Sequence, residues 1–255
     1  MLLAIDVGNT SVTVGAFEGE TLRAKWRLAT DARKLPDEYG TLFLSLAEHH
    51  GIPAGGFSGA AICSVVPELE ATFVEVCERF FSVKPLLVEA GVRTGLRILY
   101  DSPRDVGADR VVDAVAAIHL YGKPLVIVDL GTATVFDAIN NEGDYLGGAI
   151  APGLAIAAEA LFSRAAKLYR VELVRPPEAI GRNTVLALQA GVVFGYVGLV
   201  EGLVARFQKE LGGEAKVVAT GGYADLVAAE TSVIDYVNPD LTLIGLRLIY
   251  DMNQG

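Results

Sequence analysis

The residues whose types and spacing suggest chemistry begin at Asp6-Val7-Gly8-Asn9-Thr10-Ser11. Gly8 lets the backbone come close to a ligand, and Asn9, Thr10 and Ser11 add side-chain hydrogen bonds, a combination suited to the phosphates of a nucleotide. Asp6 would repel phosphate, so its natural work is to hold Mg²⁺ or the waters around it. A tight hairpin with an Asx-type turn accounts for the same residues without a ligand. The pattern, however, returns: Ile5-Asp6-Val7-Gly8-Asn9-Thr10 is matched by Val128-Asp129-Leu130-Gly131-Thr132-Ala133, 123 residues later. Each copy is an apolar strand, an aspartate, a glycine turn and a second strand. Two such copies facing one cleft would bring both turns to a single ligand.

A second group, Gly107-Ala108-Asp109-Arg110, opens a helix for which Asp105 is the expected N-cap. A carboxylate in a first helical turn is favoured by the helix dipole, and Arg110 with Asp113 makes an ordinary surface pair. A kinase also needs a carboxylate to take or orient the proton of an attacking hydroxyl, and Asp109 precedes the second turn in a suitable place. Gly147 to Gly153 is a strand end of little bulk that lets backbone or ligand approach, and Thr220-Gly221-Gly222 leads from a strand into a helix. Both also read as simple joints. Tyr100, in a loop before Asp101-Ser102-Pro103, is a packing residue by default. In Gly181-Arg182-Asn183-Thr184, Asn183 or Thr184 serves as a helix cap. His49, His50 and His119 lie on predicted helices and receive no role.

The elements that must position these groups follow from periodicity. Strands are predicted at 2–7, 12–17, 22–28, 60–64 and 86–89, with helices at 37–50 and 67–81. A helix then runs to Tyr121 and ends at Gly122. Strands at 125–130, 135–139 and 145–150 repeat the opening, followed by helices at 154–168 and 184–211. Strands at 216–219 and 233–236 alternate with helices near 223–229 and 241–251. The expectation is an α/β protein of two similar lobes, 1–115 and 116–255.

Composition narrows the function. The 255 residues carry 31 acidic against 21 basic side chains, a net charge of −10. Such a surface disfavours nucleic acid and anionic lipid, whose binding needs Lys and Arg to displace counterions. No uninterrupted apolar run is long enough to span a bilayer, and the N-terminus lacks the basic lead of a signal peptide, so a cytoplasmic protein is expected. Cys63 and Cys77 have no Cys/His companions at zinc spacing and read as buried, reduced thiols.

In order, Asp6 to Thr10, Cys63-Ser64-Val65-Val66-Pro67, Gly107 to Arg110, Asp129 to Thr134, Gly147 to Gly153, Gly181 to Thr184 and Thr220 to Gly222 resemble the type III pantothenate kinase family, across essentially the whole chain. The resemblance implies the actin/Hsp70/sugar-kinase fold: duplicated actin-like, ribonuclease H-like lobes, each a mixed sheet with flanking helices. It implies ATP-dependent phosphorylation of pantothenate to 4′-phosphopantothenate, the first step of coenzyme A synthesis, in a homodimer using Mg²⁺ and a monovalent cation such as K⁺ or NH₄⁺. By the same resemblance Asp109 is the general base. Asp6, Val7, Gly8, Asn9, Thr10, Ser11, Val12, Thr13 and Thr132 hold ATP. Asp129 holds the monovalent cation, and Tyr100, Gly107, Ala108, Asp109, Arg110 and Thr184 hold pantothenate. Cys63 stands where Ser is commoner, on a strand expected to lie away from the cleft. Two other classes stay open on the residues: a kinase of the same superfamily acting on a sugar or other small alcohol, and a nucleotide-binding regulator without turnover.

Overall fold

The computed structural model describes residues 1–164 and 168–254 and divides into two compact units. The first comprises Met1–Gly95, Ser102–Ala116 and Leu241–Gly255, the second Leu96–Asp101 and Ala117–Asp240.

In the first unit, β1 (Leu2–Val7), β2 (Ser11–Glu18) and β3 (Thr21–Ala29) form an antiparallel meander. On the other side of β1, β4 (Gly59–Ser64) and β5 (Pro85–Leu87) add in parallel, giving the order β3-β2-β1-β4-β5. β1 is an unbroken apolar run because it is buried almost throughout. β3 alternates because it is an edge: Ala24 and Trp26 face in, while Arg23, Lys25 and Arg27 face out. Helices α1 (Pro36–His49) and α2 (Pro67–Phe81) supply Tyr39, Phe43, Leu69 and Phe73 to the core under this sheet. α3 (Ala108–Tyr121) begins in this unit and crosses into the second at Ala116/Ala117.

The second unit repeats the plan. β6 (Leu125–Leu130), β7 (Ala133–Ile139) and β8 (Tyr145–Pro152) form the meander, and β9 (Lys216–Thr220) and β10 (Tyr236–Val237) add in parallel beside β6, in the order β10-β9-β6-β7-β8. The match extends to a register shift near the far end of the middle strand of each meander, at Ala16/Phe17 in β2 and at Ala138/Ile139 in β7. Helices α4 (Leu154–Arg164), α5 (Thr184–Glu210) and α6 (Ala224–Ala228) complete the unit. α5 is, by length and composition, the one helix among the described residues that could cross a membrane. Its Val192, Val193, Val197, Val200 and Val204 are buried, several of them in the core of this unit.

Five details depart from the expectations. Asp105 closes a short 3₁₀ turn at Pro103–Asp105 and does not cap α3, whose first bond runs from the Val111 N–H to the Gly107 carbonyl. The strand expected at 233–236 is confined to β10, because the side chain of Asp235 accepts the Val217 N–H at 2.7 Å where a ladder bond would run. The strand expected at 86–89 is Pro85–Leu87. The helix expected over 154–168 is described to Arg164, and 165–167 lie outside the described residues. Finally, α7 (Leu241–Met252) belongs to the first unit, packed on β1, β4 and β2, whereas the 1–115/116–255 division had put it in the second lobe. Leu96–Asp101 likewise joins the second unit, because Ile98 bridges Tyr145.

Candidate functional site

In the first unit the Asp6 turn is tied by backbone bonds. The Gly8 N–H donates to the Ser11 carbonyl at 3.1 Å, and Thr30 closes the loop from outside, its hydroxyl donating to the Gly8 carbonyl at 2.6 Å and its N–H to the Thr10 carbonyl at 3.1 Å. Asn9 and Thr10 at the tip are exposed. A Cβ at Gly8 would sit 3.1 Å from the Ser11 carbonyl oxygen, tighter than most side chains tolerate.

Asp109 lies in the first turn of α3, partly buried, with one carboxylate oxygen accepting the Arg110 N–H at 2.8 Å. The carboxylate folds back over Gly107, where a Cβ would come within 2.5 Å of the same oxygen, so only glycine leaves room for this rotamer. Burial pushes the Asp109 carboxyl above its ordinary range, against the opposing pull of the Arg110 N–H and guanidinium. One turn on, buried Asp113 accepts a hydrogen bond from the Thr242 hydroxyl at 2.7 Å.

Cys63 is not remote from these groups, contrary to expectation: it is the register partner of Asp6 across β1 and β4. Burial drives its thiol well above the usual value, and the negative charges of Asp6, Asp109 and Asp113 drive it further. The two candidate carboxylates of this unit, together with Asp113, therefore bear on a single buried sulfur. Sequence reasoning missed that grouping because strand register cannot be read from one apolar run.

In the second unit three glycine-bearing segments meet at the turn that follows Asp129. It pairs with Thr220 across β6 and β9, and its turn is closed by the Gly131 N–H on the Ala133 carbonyl at 3.0 Å. A Cβ at Gly221, which has φ +91°, would meet an Asp129 carboxylate oxygen at 2.4 Å; one at Gly131 would meet it at 3.2 Å. A Cβ at Gly153 would lie 2.2 Å from the Thr132 carbonyl oxygen, and the Gly153 N–H donates to that carbonyl at 3.2 Å. The Gly153 and Gly221 segments, which sequence alone left open between a close approach and a simple joint, pack against the second turn.

Tyr100 and Thr184 sit elsewhere in this unit. The Tyr100 ring rests on Gly147 of β8 and is 37% exposed. Thr184 opens α5, whose cap is Asn183: its side chain accepts the Leu186 N–H at 2.9 Å. Gly181 folds onto the same turn, where a Cβ would lie 2.3 Å from the Ala187 nitrogen.

Comparison with known proteins shows the family and the fold. A model of the type III pantothenate kinase family matches residues 2–206. A type III pantothenate kinase of Dehalococcoides mccartyi (strain CBDB1) is 53% identical over 253 residues, 99% of this chain and 96% of that protein. Among solved structures, a conserved protein assigned to the Baf family of transcriptional activators from Campylobacter jejuni aligns with TM-score 0.61 at 20% identity over 98% of both chains. A protein assigned as a 2-dehydro-3-deoxygalactonokinase from Sinorhizobium meliloti aligns with TM-score 0.59 at 13% identity, over 100% of this chain and 97% of that one. At those identities the structures speak for the fold alone, which is the duplicated, ribonuclease H-like fold of actin-like sugar kinases.

Proposed function

The chain belongs to the type III pantothenate kinase family and phosphorylates pantothenate with ATP, the first step of coenzyme A synthesis, and we propose that it does so with Asp109 as general base. One observation carries the assignment: Asp109 is a partly buried carboxylate in the first turn of α3, folded back over Gly107, and burial raises its carboxyl. A carboxyl raised by burial is a better proton acceptor than a free surface aspartate.

Asp6 to Thr13 and Thr132 take the phosphates of ATP through backbone N–H groups and hydroxyls. Tyr100, Gly107 to Arg110 and Thr184 take pantothenate, with the Arg110 guanidinium suited to its carboxylate. Asp109 orients the primary hydroxyl and accepts its proton as the new O–P bond forms to the γ-phosphorus; the bond to the β–γ bridging oxygen breaks and ADP leaves. Positioning and electrostatics supply most of the rate in such transfers, so one base and two turns suffice.

Asp129 suits a monovalent cation: its carboxylate is a hard oxygen donor that lies close against Gly131 and Gly221. Mg²⁺ would be held by Asp6 through water and by the phosphates themselves. Both ions supply charge that offsets the triphosphate beside an acidic protein.

A homodimer and a cytoplasmic location complete the proposal. On α5, Gly191, Gly195 and Gly198 share one exposed face where a Cβ would meet nothing. Glycine within a helix costs about 1 kcal/mol against alanine, a loss that close packing by a second chain offsets. Beside that face lies an apolar recess of about 400 Å³ between α4 and α5, lined by Ala157, Leu161, Leu188 and Tyr196, with Ile156 and Leu161 exposed on α4. Light scattering should give a dimer for the native chain and a monomer for Gly195→Leu; an unchanged dimer in the variant would argue against this face.

The activity is tested by incubating purified protein with Mg²⁺-ATP and pantothenate, with and without K⁺, following ADP release and phosphopantothenate by mass spectrometry. Product should form one-to-one with ADP and depend on K⁺. ATP binding with no product from pantothenate would overturn the proposal.

A further inference from the structure

Tyr100 has no secondary structure of its own to hold it, yet its surroundings are unusually well determined. The Tyr145 N–H donates to the Arg97 carbonyl at 2.9 Å and the Leu99 N–H donates to the Tyr145 carbonyl at 2.8 Å, so the segment leading to Tyr100 is clipped to one residue of β8 from both sides. Arg97 is pinned as well: its guanidinium forks onto the buried carboxylate of Asp144, with Nε at 2.8 Å from Oδ1. Asp144 is in turn fixed by Asn140, whose side-chain oxygen accepts the Asp144 N–H at 2.7 Å.

The ring itself is held by two residues of β8 that point to the same face, Tyr145 and Gly147. Tyr145 is fully buried, and its hydroxyl donates to buried Asp137 at 2.6 Å, which fixes the ring plane. Tyr100 packs edge-on against it, with centroids 6.5 Å apart and planes inclined at 62°. At Gly147 the backbone takes φ +127°, and the Cδ2–Cε2 edge of Tyr100 fills the place of the missing side chain, 3.1 Å from where a Cβ would be. The register shift at Ala138/Ile139 opposes this stretch of β8, pairing Tyr145 with Ile139 and Gly147 with Ala138.

We infer that Tyr145 and Gly147 are positioning residues for pantothenate, fixing the Tyr100 ring in the pose that meets the substrate. The inference rests on the assignment of Tyr100 to the pantothenate site. A ring pre-set on a strand loses little freedom on binding, whereas a loop tyrosine free to rotate must be ordered at the substrate's expense. Neither residue touches substrate; each acts through Tyr100.

Steady-state kinetics of Tyr100→Ala, Gly147→Ala, Tyr145→Leu and the double variant Gly147→Ala/Tyr100→Ala decide the matter. Gly147→Ala and Tyr145→Leu should each raise the pantothenate KM by about tenfold, the scale of one lost aromatic contact, and leave the ATP KM unchanged. In the Tyr100→Ala background Gly147→Ala should have no further effect. Multiplicative effects of the two changes, equal rises in both KM values, or an unmoved pantothenate KM would overturn the inference while leaving Tyr100 in the site. An unmoved pantothenate KM in Tyr100→Ala itself would instead remove the assignment of Tyr100, and the inference with it. Should Gly147→Ala fail to fold, Tyr145→Leu, alone and with Tyr100→Ala, is judged by the same criteria.

Discussion

Replacing Gly153 with alanine adds one methyl group, and its consequence can be worked from the distances around it. The new Cβ would stand 2.2 Å from the Thr132 carbonyl oxygen, 2.5 Å from the Gly131 carbonyl oxygen and 2.7 Å from the Thr132 carbonyl carbon. Ordinary contact begins near 3.4 Å, so the turn at Gly131 and Thr132 must retreat by about 1.2 Å. Every atom in the way is backbone, so no rotamer change relieves the clash. Displacing a substrate-positioning group by roughly 1 Å costs on the order of 10² in rate, about 2.7 kcal/mol of transition-state stabilisation. The overpacking itself should cost about 1–3 kcal/mol of stability, within what a folded variant survives. A coupled ATPase assay with pantothenate should therefore show kcat/KM for ATP down by about 10² in Gly153→Ala. Gly55→Ala, where a Cβ meets nothing, should be silent. A folded Gly153→Ala enzyme with native kcat/KM would refute the view that the Thr132 turn holds the phosphates.

Asp109→Asn should fold normally and lose kcat by roughly 10²–10⁴, as expected for loss of a general base. Because burial raises the Asp109 carboxyl in the folded state, the ionised form costs stability as pH rises above 3.8 through the raised value. Asp109→Asn should thus be at least as stable as the native chain at neutral pH, measured by urea melts, and the native pH–rate profile should fall on its acid side at a pKa above the ordinary aspartate value. For Asp144 the sign reverses: the Arg97 guanidinium holds its carboxyl below 3.8, so the stabilisation is full above that value and is lost as pH falls through the lowered one. Asp144→Asn should flatten the acid end of the stability curve; an unchanged curve would count against the pair. Burial pushes Cys77 up to about 12 and raises Cys63 as well, so neither thiol should react with a disulfide reagent in the native enzyme at neutral pH and both should react in denaturant.

Much of this was legible because the two meanders are written in unambiguous terms. β1 and β6 are apolar except for an aspartate one residue from the end, a glycine turn comes next, and the second strand follows at once. Where the reading failed, long-range packing decided. α7 shows an apolar face in the sequence, but nothing local says which sheet it covers; Gly245 says so only in space, since a Cβ there would lie 2.1 Å from the Val112 carbonyl oxygen of α3. Cys63 beside Asp6 is a matter of register between strands more than fifty residues apart. The cap of α3 was misplaced because Asp105 is a good capping residue in the wrong turn: Pro103 starts a 3₁₀ turn that ends at Asp105, and Gly107 is what the Asp109 carboxylate requires.

We propose that binding of ATP depends on both Asp6 and Asp129, and calorimetric titration of Mg²⁺-ATP into the native chain and into the Asp6→Asn and Asp129→Asn variants tests this most directly. One nucleotide should bind per chain, and either substitution should weaken that same event by tenfold or more. Two nucleotides per chain, or a single one indifferent to one of the two aspartates, would contradict it.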